Sequence, residues 1–126
     1  MFQKGRFKGD GWVVGHMGKR ALKTGKVGVK WALQPRGDAG NEWRTCTKAT
    51  TLSVLISGKF KMVFREKPGG RERTVIFKKK GDYVIFGPGW QHKSEALKKT
   101  WFLTVRFPSI EGDCKVISEK KKRSRY

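Results

Sequence analysis

At 126 residues the chain is long enough to bury one core and too short for two. No apolar run approaches the ~20 residues of a membrane-spanning helix, and the start, Met1 to Lys8, has charge with no hydrophobic stretch behind it. Neither a membrane helix nor a secretory signal is therefore expected. Thirty Lys and Arg against ten Asp and Glu give a formal charge of +20, which attracts nucleic acid, anionic surfaces and small anions but has no bearing on the fold.

From the N-terminus, Val27, Val29, Trp31 and Leu33 alternate with Lys26, Gly28, Lys30 and Ala32, the period of a strand with one buried face. Asn41–Thr45 is a candidate short helix. Between Thr50 and Phe64 two strands flank a turn at Ser57-Gly58. Leu52, Val54 and Ile56 share one face of the first strand, and Phe60, Met62 and Phe64 share one face of the second. Pro68-Gly69-Gly70 marks a hairpin loop with its return strand at Thr74–Phe77. Further strands follow at Tyr83–Phe86 and at Thr100–Phe107, where Trp101, Leu103, Val105 and Phe107 share a face and Pro108 ends the run. No long segment has a helical apolar period. Strands spaced by 8–12 residues with Gly/Pro turns predict an all-β sandwich or barrel.

The strand Thr50–Ile56 is apolar on both sides, which implies cover by a terminal strand or by another subunit, with a two-fold homodimer as the default. Residues 113–126 are read as a basic tail. From Lys115 onward it contributes +5 of the total charge and leaves +15 on the body. Its Lys120-Lys121-Lys122-Arg123 run is similar to a nuclear-import signal, but such runs are common by chance. Cys46 and Cys114 lack C-x-x-C spacing and read as two free thiols in a reducing cytoplasm rather than as a disulfide.

The segment Gly81-Asp82-Tyr83-Val84-Ile85-Phe86-Gly87-Pro88-Gly89-Trp90-Gln91-His92 carries the most chemistry. Glycines at 81 and 89 can take positive φ, and Pro88 stiffens the turn that aims His92. With Gly81, Gly89 and His92 in place, this segment resembles the second motif of the cupin superfamily, G-x5-P-x-G-x2-H. Gly87 stands where the motif's proline would be. The first motif, H-x-H-x3-E-x6-G, aligns backward from Gly58 and puts Thr45, Thr47 and Thr51 at the histidine, histidine and glutamate positions. The resemblance covers residues 11–112 and implies a single antiparallel jelly-roll β-barrel over residues 1–112.

In metal-bearing cupins those four positions converge on a divalent metal. Three are threonine here, and neutral hydroxyls are poor substitutes for imidazole and carboxylate, so no metal and no other cofactor is expected. The expected function is that of a cupin-domain protein holding a small polar or anionic ligand in its barrel, with enzymatic activity not expected. Its site is read as His92, Thr45, Thr47, Thr51, Ser53, Trp90 and Arg106, with Trp43 at the rim. Trp31 and Trp101 are assigned to the core, and His16 to a structural or surface role. Two alternatives are a nucleic-acid-associated cupin using the basic surface and tail, and a metal-dependent cupin enzyme, either a dioxygenase or a sugar isomerase/epimerase.

Overall fold

The computed structural model describes residues 2–17 and 22–117. The Lys120–Arg123 run of the basic tail lies outside them. The described residues form eleven strands: β1 (Gly11–Gly15), β2 (Leu22–Lys23), β3 (Gly28–Gln34), β4 (Arg44–Cys46), β5 (Thr50–Ser57), β6 (Phe60–Arg65), β7 (Arg73–Phe77), β8 (Tyr83–Phe86), β9 (Gln91–Ala96), β10 (Thr100–Phe107) and β11 (Cys114–Val116). No helix occurs among the described residues, and the candidate helix at Asn41–Thr45 is instead loop and β4. The polar, short stretch there can pair with neighbours on both sides, and that pairing overrides any local helical preference.

The strands make two sheets in a jelly-roll arrangement. One has six strands in the order β2-β1-β3-β10-β5-β8, and the other has five in the order β11-β4-β9-β6-β7. All pairings are antiparallel except β1 with β2. The chain crosses from one sheet to the other at Gly58, between β5 and β6. Gly58 has φ of +101°, and a Cβ there would run into the carbonyl oxygen of Lys99 and into Thr100, so only glycine fits.

The two sheets bury opposite kinds of residue. In the five-stranded sheet Phe60, Met62 and Phe64 of β6 point inward and join Phe77, Leu55, Phe86 and Ala96 in the apolar core. In the six-stranded sheet the inward positions are largely polar: Lys30 and Gln34 of β3, Thr51 and Ser53 of β5, Thr104 and Arg106 of β10. Because side chains alternate along a strand, the apolar set of each of these strands faces outward. Val29, Trp31 and Leu33 therefore lie beside Trp101, Leu103 and Val105 on the outer surface, half-buried by one another. This corrects the expectation of a buried face at Val27–Leu33. It also moves Trp31 and Trp101 out of the core, onto each other at 5.5 Å between ring centroids.

The C-terminal boundary moves as well. Cys114–Val116 form an edge strand on β4 rather than the start of a free tail. Asp113 is buried and accepts hydrogen bonds from Thr47 Oγ1 and from the amides of Lys48 (2.8 Å) and Ala49 (3.0 Å), which fixes the turn between β4 and β5. Burial alone would raise the Asp113 carboxyl, but these bonds outweigh it and hold the group below the usual carboxylate value. In this register Cys114 lies opposite Cys46, and the two form a disulfide across 68 residues. The free-thiol expectation is thereby corrected. The pairing depends on β11 returning beside β4, which residue spacing does not reveal.

Candidate functional site

A cavity of about 510 Å³ opens between the two sheets, within the usual range for small-molecule sites. The apolar part of its wall comes from Phe60, Met62, Phe86 and Phe102. The polar part includes Lys30, Arg44, Arg106 and Lys115, against Asp38 and Glu42, so positive charge is in excess.

The Gly81–His92 segment delivers its histidine into this space. Gly81 and Gly89 adopt φ of +93° and +88°, β8 runs between the two turns, and His92 is the second residue of β9. Its imidazole lies 4.9 Å from the Phe86 ring and 6.1 Å from that of Phe64. Desolvation by burial lowers the His92 pKa from 6.5 to about 4, with further lowering by the charges of Arg106 and Arg44. His92 is thus a neutral imidazole at pH 7 beside two guanidinium groups.

Among the described residues four buried side-chain atoms have no hydrogen-bond partner: Gln34 Oε1, Thr51 Oγ1, His92 Nδ1 and Arg106 Nε. All four residues line this cavity. Three of them cluster at one end. Arg106 and Thr51 are partners across β10 and β5, Thr51 is paired to Phe86, and Phe86 packs on His92. Gln34 pairs with Thr100, six positions along β10 from Arg106, or roughly 20 Å away at strand rise. Burial lowers the Arg106 pKa, with Asp113 opposing, and its guanidinium stacks on Trp12 at 4.6 Å.

Of the residues expected from sequence to form the site, His92, Thr45, Thr51, Ser53 and Arg106 line the cavity. Ser53 lies 3.4 Å from Thr104, hydroxyl to hydroxyl. Three others do not. Thr47 is exposed and donates to Asp113, because β4 ends at Cys46 and the alternation that would turn it inward stops there. Cys46 lines the cavity beside Thr45. Trp43 is buried on the far side of β9, under the Arg65 guanidinium at 3.9 Å and the Lys93 ammonium at 4.7 Å. Trp90 packs against the apolar core. Sequence reasoning missed Trp12, Lys30, Gln34 and Arg44. For Lys30 and Gln34 the signal was present, since they are the polar phase of the alternating Val27–Leu33 pattern.

The residues at the metal positions do not fit a metal. Thr45 Oγ1 donates to the Trp90 carbonyl at 3.0 Å, Thr47 points outward, and Thr51 offers a neutral hydroxyl, which leaves His92 as the single strong donor. The other histidine, His16, is tied to Ser109 through Nδ1 at 2.7 Å. Cys46, Asp113 and Cys114 bring their donor atoms within 4.8 Å of one another, but the two sulfurs are bonded to each other.

No family model and no curated protein sequence matches the chain. Solved structures do. Oxalate decarboxylase from Bacillus subtilis is 20% identical with a TM-score of 0.62, over 73% of this chain and 24% of that one. The fold is that of the cupins. The capsular polysaccharide assembling protein CapF from Staphylococcus aureus is similar at 18% identity and a TM-score of 0.61, over 75% of this chain and 29% of its own. KdgF from a Halomonas species gives 16% identity and 0.56, over 70% and 74%. This cupin barrel therefore spans about a quarter of the length of two of these proteins and most of the third.

Proposed function

We propose that the protein is a cupin-fold binding protein that holds a small anionic ligand in its barrel without a resident metal. One observation carries this reading: the unpartnered polar atoms of Thr51, His92 and Arg106 meet at one end of a cavity whose wall has excess positive charge. A buried polar atom left unsatisfied costs roughly 1–3 kcal/mol. A carboxylate or phosphate seated there would accept from the guanidinium, from the hydroxyl and from the imidazole, and would offset that cost. The apolar wall of Phe60, Met62 and Phe102 favours an organic body behind the anionic group.

The test is calorimetry with mono- and dicarboxylates, hydroxy acids, sugar acids and inorganic phosphate. Binding should weaken at least tenfold in Arg106→Gln. An anion close to His92 should also raise the depressed imidazole pKa, which NMR titration reads directly. Failure of every member of the panel to bind, or binding unchanged by Arg106→Gln, would overturn the reading.

A second reading has its own observation. The β5–β6, β7–β8 and β9–β10 turns lie at one end of the barrel, joined by bonds such as Leu97 N–H to the Lys59 carbonyl and Gly81 N–H to that of Leu55. They bring Lys59, Lys78, Lys79, Lys80, Lys98 and Lys99 to that end, a fit for nucleic-acid phosphates bound without sequence preference. A gel-shift series over ~50–200 mM salt tests it. Binding should fall steeply with salt and weaken when Lys78–Lys80 are replaced by glutamine, and its absence at the lowest salt excludes it.

A further inference from the structure

The cavity wall beside His92 is held in place by few pairings. It is built by β4, whose Arg44 pairs with His92 of β9, and by the edge strand β11 beyond it. Lys115 lies opposite Thr45 in the register, and cross-strand partners share a face, so its charge is set on the side of the cavity. Cys46 and Cys114 line the cavity with them. Apart from the Cys46–Cys114 bond, β11 has a light hold. Its three residues pair with β4 on one side, Lys115 and Val116 are exposed, and the Ile117 amide bonds to the Trp43 carbonyl at 2.7 Å. Ordering a residue costs about 1–2 kcal/mol and a hydrogen bond returns about 0.5–1.5, so these pairings roughly break even without the covalent link. Asp113, one residue earlier, is anchored independently by the bonds it accepts from Thr47, Lys48 and Ala49.

We infer that the Cys46–Cys114 bond is a redox latch on the anion site: reduction frees β11, with Asp113 as the hinge, and takes Lys115 out of the wall while the barrel stays folded. The latch rests on the anion-binding reading given above. Both sulfurs line the cavity, and Cys114 is more exposed than Cys46, so a small dithiol can reach the bond. Its thiolate attacks Cys114 Sγ and displaces Cys46 as a thiolate, which takes up a proton. The second thiol of the reductant, once deprotonated, attacks the mixed disulfide and displaces Cys114, which is protonated in turn. Two electrons and two protons thus end on the two cysteines, and the reductant leaves as its own disulfide. Lys30, Arg44 and Arg106 remain on the wall, so anion binding weakens without being abolished. By linkage, an anion that prefers the latched form makes the bond harder to reduce by the same factor.

Amide hydrogen exchange, followed by NMR in the oxidised full chain and after reduction with an uncharged dithiol, tests the latch without any ligand. After reduction the Ile117 amide should exchange nearly as fast as in an unstructured peptide. The Lys48 and Ala49 amides, bonded to Asp113, and the Leu55 amide, bonded to the Asp82 carbonyl, should stay at least ~100-fold slower. Cys46→Ser/Cys114→Ser should match the reduced protein. An Ile117 amide as protected after reduction as before it would overturn the inference, and so would loss of protection throughout the chain. Calorimetry with the same carboxylates and phosphate then reads the site. At low ionic strength, binding should weaken at least about threefold on reduction, and Lys115→Gln should do the same with the bond intact. Equal binding by the oxidised and reduced forms would overturn the latch. No binding by the oxidised form, with Ile117 released on reduction, would instead overturn the anion reading and leave the release of β11 standing.

Discussion

The two sheets solve the same packing problem with opposite polarity. The five-stranded sheet puts Phe60, Met62 and Phe64 inside and carries Lys61, Lys93 and Glu95 on its outer side, with Lys61 and Glu95 3.8 Å apart. The six-stranded sheet turns Lys30, Thr51, Ser53, Thr104 and Arg106 inward and leaves tryptophan, leucine and valine outside. The five-stranded sheet supplies most of the apolar core, to which Leu55 and Phe86 of the six-stranded sheet add, and the six-stranded sheet carries the polar half of the cavity. The difference teaches that apolar alternation identifies a strand without identifying which of its faces points into the barrel.

Substitutions can test this division. The largest effect is expected in the five-stranded sheet: Phe60→Ala should cost about 3–5 kcal/mol in denaturant unfolding, since Phe60 is 3% exposed and packs against Phe77 and Phe102. A loss below ~1 kcal/mol would mean that the core is not there. Next, Cys46→Ser/Cys114→Ser should cost about 4 kcal/mol, as expected for opening a loop of 68 residues. Wild type in strong reductant should lose the same amount, and no difference between oxidised and reduced protein would refute the link.

His92 gives a comparable effect spread over pH. Its folded pKa of about 4 lies below the ordinary 6.5, so the unfolded chain binds the proton more tightly. This contribution to stability is intact above pH 6.5 and is lost as pH falls toward 4, by up to about 3 kcal/mol. His92→Gln should flatten the profile in that window, whereas an unchanged slope would show that His92 does not titrate as its burial requires.

The smallest effect has the opposite sign. Thr51→Val removes an unsatisfied buried hydroxyl and should leave stability unchanged or raise it by up to ~1 kcal/mol, while weakening anion binding. A loss comparable to that of Phe60→Ala would erase the contrast between the sheets.

How much of this the sequence disclosed follows from the same physics. The strands β3, β5, β6 and β10 were legible because apolar residues recur at every second position, and the shorter β7 and β8 because apolar runs lie between turn residues. By contrast β9, Gln91–Ala96, is polar at nearly every position and was invisible as a strand, even though it carries His92. Three-residue strands such as β4 and β11 are too short to display a period. That brevity is why Thr47 was expected inward and why the Cys46–Cys114 bond went unseen. The placement of His92 and Thr51 was legible from motif spacing, whereas alternation alone, which leaves the inward face open, could not place Arg106. Trp43 and Trp90 lie near the site in sequence, but proximity along the chain says nothing about which side of a sheet a ring packs on.

The Cys46–Cys114 bond closes a covalent ring and leaves an open arm on each side of it, of which the N-terminal arm is the longer. Thr51, Ser53, His92, Thr104 and Arg106 all belong to the ring, whereas Trp12, Lys30 and Gln34 belong to the N-terminal arm. A single protease cut anywhere between β5 and β10 would therefore leave the pieces of the ring linked, and they would part only after reduction. A cut in that arm, such as one between β2 and β3, would release the N-terminal strands outright once the fold opened. The residues proposed to grip the anionic group thus stay joined by covalent bonds under a kind of damage that could strip away those on the arm.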